Sequence, residues 1–169
     1  ILKKHECHVT VCDINEKMVC AGRDGAINKG TANVPEWVCA DAAALPFPDS
    51  YADIYVTAFC LRNVTRLEDV LLEAERVLKP GGHFLCLEFS KVNLPVLDAL
   101  YELYSFQVLP FLGEVVARDR AAYQYLVESI RRFPNQELFS EMIYGAGLHQ
   151  VSYRNLSGGI AAIHSAWNL

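Results

Sequence analysis

The run Arg76–Ser90, RVLKPGGHFLCLEFS, constrains the fold more than any other stretch of this 169-residue chain. Arg76-Val77-Leu78 closes a helical pattern, and Lys79-Pro80-Gly81-Gly82 stops it. Proline cannot continue a helix, and glycine reaches backbone angles that other residues avoid, so the break is sharp. His83 to Phe89 then runs as a mostly apolar strand. Its near-continuous apolar character predicts a strand buried on both faces. A helix, a Pro-Gly-Gly turn and a buried strand make half of an α/β unit. The strand ends in Glu88-Phe89-Ser90, which puts an acid and a hydroxyl at a carboxyl strand end, where open α/β sheets bind ligands.

The flanking chain repeats this grammar. His8–Ile14 (HVTVCDI) is β-branched and apolar, and reads as a strand with Asp13 at its carboxyl tip. There a carboxylate can accept both hydroxyls of a ribose. Asp13 and Asn15 also suit the start of a helix through Glu16–Val19, so a capping role stays open. After a polar loop at Lys29–Pro35, Trp37–Ala40 is a short strand ending at Asp41. Asp41 can accept from an adenine amino group, with the small Ala42 admitting the ring, or can simply make a turn. Asp53–Phe59 is another strand, followed by Leu61-Arg62-Asn63-Val64-Thr65. Thr65 and Glu68 match a capping box for a helix over Arg66–Leu78, with Leu67, Val70, Leu71, Ala74, Val77 and Leu78 on one face. Arg62 and Asn63 therefore fall in a loop at a carboxyl strand end. A cation and an amide there suit a ligand site, although an arginine pairing a surface acid is the plainer alternative.

Beyond Ser90 the character changes. Asn93–Phe133 is long, helical and aromatic, and is expected to form an apolar lid or a subunit interface. Gln136–Gly147 reads as an amphipathic helix ending in glycine. His149–Asn155 and Gly159–Asn168 read as an antiparallel hairpin around Leu156–Gly159.

Composition narrows the function classes. With 52% hydrophobic residues, the chain can bury a core. Net charge is −5 and no basic stripe runs along it, which argues against nucleic acid as a partner. No apolar run approaches the roughly 20 residues that span a bilayer. The six cysteines include no CxxC pair and several sit in strand patterns, so they read as buried, reduced thiols and not as metal ligands.

Together these pieces resemble the ubiquinone/menaquinone-biosynthesis C-methyltransferases, a family of class I S-adenosylmethionine enzymes. The matching residues are Asp13-Ile14-Asn15, Asp41-Ala42 with LPFPD, LRNVT at Leu61–Thr65 and RVLKPGG…LEFS. YSFQVLP at Tyr104–Pro110, YLVESIRRFP at Tyr125–Pro134 and GIAAIH ending at His164 match as well, so the resemblance covers essentially the whole chain.

The resemblance implies a Rossmann-like α/β sheet with helices on both faces and a C-terminal antiparallel hairpin. It treats 1–169 as one part of a methyltransferase domain, with 93–134 as a helical lid or interface insertion. It implies C-methylation of a polyprenyl methoxy-benzoquinol, with S-adenosylmethionine as donor and no metal. Asp13 would hold the ribose, Asp41 and Ala42 the adenine, and Arg62 and Asn63 would act at the substrate hydroxyl. It further implies a homodimer, contact with other quinone-biosynthesis proteins, and a peripheral place on the matrix face of the mitochondrial inner membrane, or the cytoplasm in a bacterium. Demethylmenaquinol methylation and a non-catalytic scaffold role are the alternatives. Members of the family begin with a strand and a glycine-rich loop, and no G-x-G precedes Asp13 here. The chain is therefore expected to be a fragment that binds the donor weakly or not at all, with the gap between the strands that would be second and fourth in that fold closed by rearrangement or strand exchange.

Overall fold

The computed structural model describes residues 7–28, 35–91 and 120–169. The chain forms two compact units, Ile1–Pro48 and Asp49–Leu169. Expectations for the 29–34 loop and for most of the 93–134 insertion lie outside the described residues.

In the first unit, β1 (Thr10–Asp13) pairs in parallel with β2 (Glu36–Cys39), with Asp13 beside Cys39. The helix α1 (Glu16–Asn28) follows β1. Asn15 starts it: the Asn15 side-chain oxygen accepts the Lys17 N–H at 3.0 Å, satisfying one of the donors that a helix start leaves unpaired.

In the second unit, four strands lie in the order β3-β4-β6-β5. These are β3 (Ala52–Ala58), β4 (Leu78–Phe89), β5 (His149–Leu156) and β6 (Ala161–Trp167). β3 runs parallel to β4, while β6 runs antiparallel to both β4 and β5. The expected hairpin is thus present, with its second strand inserted next to β4. β1 and β3 each have one hydrogen-bonded neighbour strand among the described residues. The helices of this unit are α2 (Leu67–Val77), α3 (Arg120–Arg132) and α4 (Gln136–Gly145). On α2, Val70, Leu71, Ala74 and Val77 are buried, as their spacing predicts. Asn135 caps α4 by accepting the Leu138 N–H at 2.9 Å. No described helix is long and apolar enough to cross a membrane.

Three expectations need correction. The cap of α2 is Arg66, not Thr65, and no side chain accepts a hydrogen bond there. The Arg66 guanidinium pairs with Asp69 at 2.8 Å across the first turn. Second, β4 is fully buried on one face only. Phe84, Cys86 and Glu88 are buried, while Leu85, Leu87 and Phe89 are half-buried. Helix α2 packs against β4, His164 lies opposite Cys86, and Phe139 of α4 meets the His164 ring edge-on at 4.8 Å. Third, only Cys86 is a buried thiol, its pKa pushed up by that burial; Cys7, Cys39 and Cys60 are exposed, and none of the six is in a disulfide.

Lys79–Gly82, which the sequence presents as a turn, lies within β4 at a register irregularity against β3 and is held from far along the chain. The Asn168 amide donates to the Leu78 carbonyl at 2.8 Å, and its backbone exchanges hydrogen bonds with Gly81 and Gly82. Gly81 takes φ +78°, and a Cβ on Gly82 would lie 2.7 Å from the Lys79 carbonyl oxygen. That neighbour is backbone and cannot move aside cheaply. Gly82→Ala should therefore destabilise this unit by about 1–3 kcal/mol, read as a shift in urea midpoint at constant slope.

Candidate functional site

β3 ends at Ala58, and the chain turns through a short 3-10 helix at Leu61–Asn63. Parallel pairing with β4 brings that turn beside Glu88, since Ala58 is opposite Leu87. Glu88 is 2% exposed, an acid in an apolar strand, and a buried carboxylate needs partners. It has three. One oxygen accepts the Arg62 Nη1 at 3.0 Å and the Phe89 N–H at 2.9 Å, and the other accepts the Arg62 backbone N–H at 3.3 Å. Arg62 Nη1 also donates to the Phe59 carbonyl, and the guanidinium carbon sits 5.3 Å from the centroid of the Phe89 ring. Arg62 is thus clamped at one nitrogen, on one face and along its backbone. Its Nε is buried with no partner, and its Nη2 takes none among the described residues.

Asn63 follows on the exposed side of the turn. Its side-chain oxygen accepts the Tyr125 hydroxyl of α3 at 3.1 Å, which leaves the amide NH2 as its outward group. Arg62 and Asn63 therefore present N–H donors together, at the carboxyl end of a parallel strand pair. Such an arrangement can bind and stabilise an oxyanion.

The other predicted residues belong to the first unit. Asp13 and Asp41 follow neighbouring strands, and the Ala40 N–H donates to the Asp13 carbonyl at 3.1 Å. Each carboxylate fixes a turn with one oxygen: Asp13 accepts the Asn15 N–H at 2.8 Å, and Asp41 accepts the Ala43 N–H at 2.9 Å. Among the described residues the second oxygen of each takes no hydrogen bond. The turn-making role and an open acceptor thus coexist on each side chain. Two open acceptors at adjoining strand ends, with the half-buried Ala42 after the second, fit the hydroxyl and amino groups of a nucleoside.

Two contributors were not assigned from the sequence. Glu88 stood out as an acid at a strand end, but it faces inward to Arg62 and not toward a ligand. Tyr125 was one aromatic among many in the stretch taken for a lid. The signal for Glu88 is a lone acid at a buried-strand position, which must be paired; nothing in the sequence says that Arg62, 26 residues away, is the partner. Among the described residues no three His, Cys, Asp or Glu side chains are grouped to hold a metal ion.

A model described as the ubiE/COQ5 methyltransferase family matches residues 2–168. The chain is 57% identical over 161 residues to the human protein named 2-methoxy-6-polyprenyl-1,4-benzoquinol methylase, mitochondrial, covering 95% of this chain and 49% of that one. It is 53% identical over 164 residues to the ubiquinone/menaquinone biosynthesis C-methyltransferase UbiE of Brucella anthropi, covering 97% of this chain and 62% of that one. The chain spans about half the length of the mammalian relatives it matches. Among solved structures, an S-adenosylmethionine-dependent methyltransferase from Aquifex aeolicus superposes with a TM-score of 0.64 at 16% identity, over 98% of this chain and 71% of that one. At that identity the likeness shows the fold, a class I methyltransferase α/β fold, and no more.

Proposed function

Because this chain belongs to the ubiE/COQ5 methyltransferase family, we propose that it serves S-adenosylmethionine-dependent C-methylation of a polyprenyl methoxy-benzoquinol in ubiquinone biosynthesis. The observation that carries this reading is the Arg62–Asn63 pair in the turn after β3, with Arg62 held by Glu88 and Phe59 and Asn63 by Tyr125.

When bound, S-adenosylmethionine supplies a methyl group already activated on a sulfonium. What the protein must add is nucleophilicity at a ring carbon. A quinol carbon becomes a good nucleophile as its neighbouring hydroxyl approaches phenolate. Free guanidinium loses its proton only above about pH 12, so Arg62 is a poor base. In this reading Arg62 stabilises the developing phenolate charge, Asn63 donates a second hydrogen bond, and water takes the proton. Asp13 holds the ribose hydroxyls through its open oxygen, and Asp41 with Ala42 holds the adenine. Contact with other quinone-biosynthesis proteins, homodimer formation and peripheral attachment to the mitochondrial inner membrane extend the same proposal. The mitochondrial names of the animal relatives support the compartment. The apolar lid assigned to Leu100–Phe111 lies outside the described residues.

The deciding assay transfers a radioactive methyl group from S-adenosylmethionine, using the full-length protein. Label is expected in polyprenyl methoxy-benzoquinol. Label in demethylmenaquinol alone would shift the substrate to the menaquinone branch, and label in neither quinol would favour the scaffold role. Asp13→Ala should weaken cofactor binding on the order of 10²- to 10⁴-fold, because two hydrogen bonds to a charged group are lost at about 1.5–3 kcal/mol each. Titration calorimetry showing unchanged affinity would move the ribose site elsewhere.

A further inference from the structure

The Arg62–Glu88 contact is an unusual use of a catalytic candidate, because a buried acid takes up part of the charge that would face the substrate. We infer that Glu88 is a positioning residue: it holds the Arg62 guanidinium by Nη1 so that the Nη2 and Nε edge is left for the substrate oxygen. This rests on the reading of Arg62 given above.

The geometry supports it in three ways. Glu88 touches Arg62 twice, at Nη1 and at the backbone N–H, so one carboxylate sets both the turn and the side chain. The carboxylate is itself anchored by the Phe89 N–H, one residue on along β4, so its position is set by the sheet. The remaining constraints on Arg62, the Phe59 carbonyl and the Phe89 ring, act at the same nitrogen and on the guanidinium face. The edge without protein partners includes Nε, which is buried. A buried, unpaired N–H is costly, and a ligand oxygen would relieve it. The burial also matters to Glu88. Glu88 is 2% exposed and bonds Arg62 at both the side chain and the backbone, so its effect on turnover is expected to pass through Arg62. An ion pair buried this far is weak evidence for stability, but it suits a part that fixes one orientation among several.

The experiment uses the full-length protein with S-adenosylmethionine and quinol. Glu88→Gln keeps the shape but turns an acceptor into an NH2 group facing Arg62 N–H groups. It should lower kcat on the order of 10²-fold, with KM for quinol and cofactor affinity within about twofold, since a misplaced group costs rate and not binding. Glu88→Asp keeps both acceptor oxygens and should recover part of the loss, with circular dichroism establishing that both variants fold. Nitrogen-15 spectra of the Arg62 guanidinium should show hindered rotation in the wild type and fast rotation in Glu88→Gln, independent of activity. In an Arg62→Ala background, Glu88→Gln should cost nothing further. A full-rate Glu88→Gln beside a slow Arg62→Ala would overturn this inference alone, as would a rotation rate unchanged by Glu88→Gln. A full-rate Arg62→Ala would overturn the role given to Arg62 and this inference with it.

Discussion

Arg62→Lys should lower kcat on the order of 10²- to 10³-fold while leaving the affinity for S-adenosylmethionine unchanged. Lysine keeps the positive charge, so a role that needed only charge would survive the change. The geometry asks for more. One guanidinium bonds Glu88 and the Phe59 carbonyl through Nη1, lies against the Phe89 ring, and still presents Nε and Nη2 along its other edge. An ammonium is a compact point charge without that planar fork, and drawn to the buried Glu88 it has no second rigid edge to offer. Steady-state kinetics with quinol, beside calorimetry with the cofactor, separates the two quantities. Wild-type turnover would remove Arg62 from the chemistry.

The largest expected effect on stability lies away from the site. Phe139→Ala should destabilise the Asp49–Leu169 unit by about 3–5 kcal/mol, read by urea unfolding. Phe139 is fully buried, with its ring centroid 5.0 Å from that of Phe133 and edge-on to His164. His164 Nδ1 is buried without a partner, and burial pushes the His164 pKa down. The vacated space would therefore adjoin a desolvated imidazole, and a strongly held neighbour lets the cavity relax little. Tyr144→Ala on the same helix, at a position 63% exposed, should cost far less and serves as the control. Equal losses in the two variants would mean that α4 does not anchor this core.

What the sequence by itself determined is the order and kind of the elements. Strand, helix, turn and hairpin signals are local: β-branched runs, helical spacing in α2, the Pro-Gly-Gly break, and Asn15 at the start of α1. Local physics also placed Asp13, Asp41, Arg62 and Asn63 at strand ends, because a strand that stops at a polar residue stops there in any context. The tertiary structure alone decided what those residues touch. Glu88 lies 26 positions from Arg62, Tyr125 lies 62 from Asn63, and Asn168 reaches back 90 to Leu78. No spacing rule spans such separations; they follow from which strands pair and which side each side chain takes. The same holds for the two faces of β4, whose apolar run looks alike on both. Among the described residues, α2 packs against β4 and α4 meets His164 beside it, which is information the apolar run does not hold. The cap of α2 likewise falls on Arg66 and not on Thr65, one residue beyond where the capping-box pattern puts it.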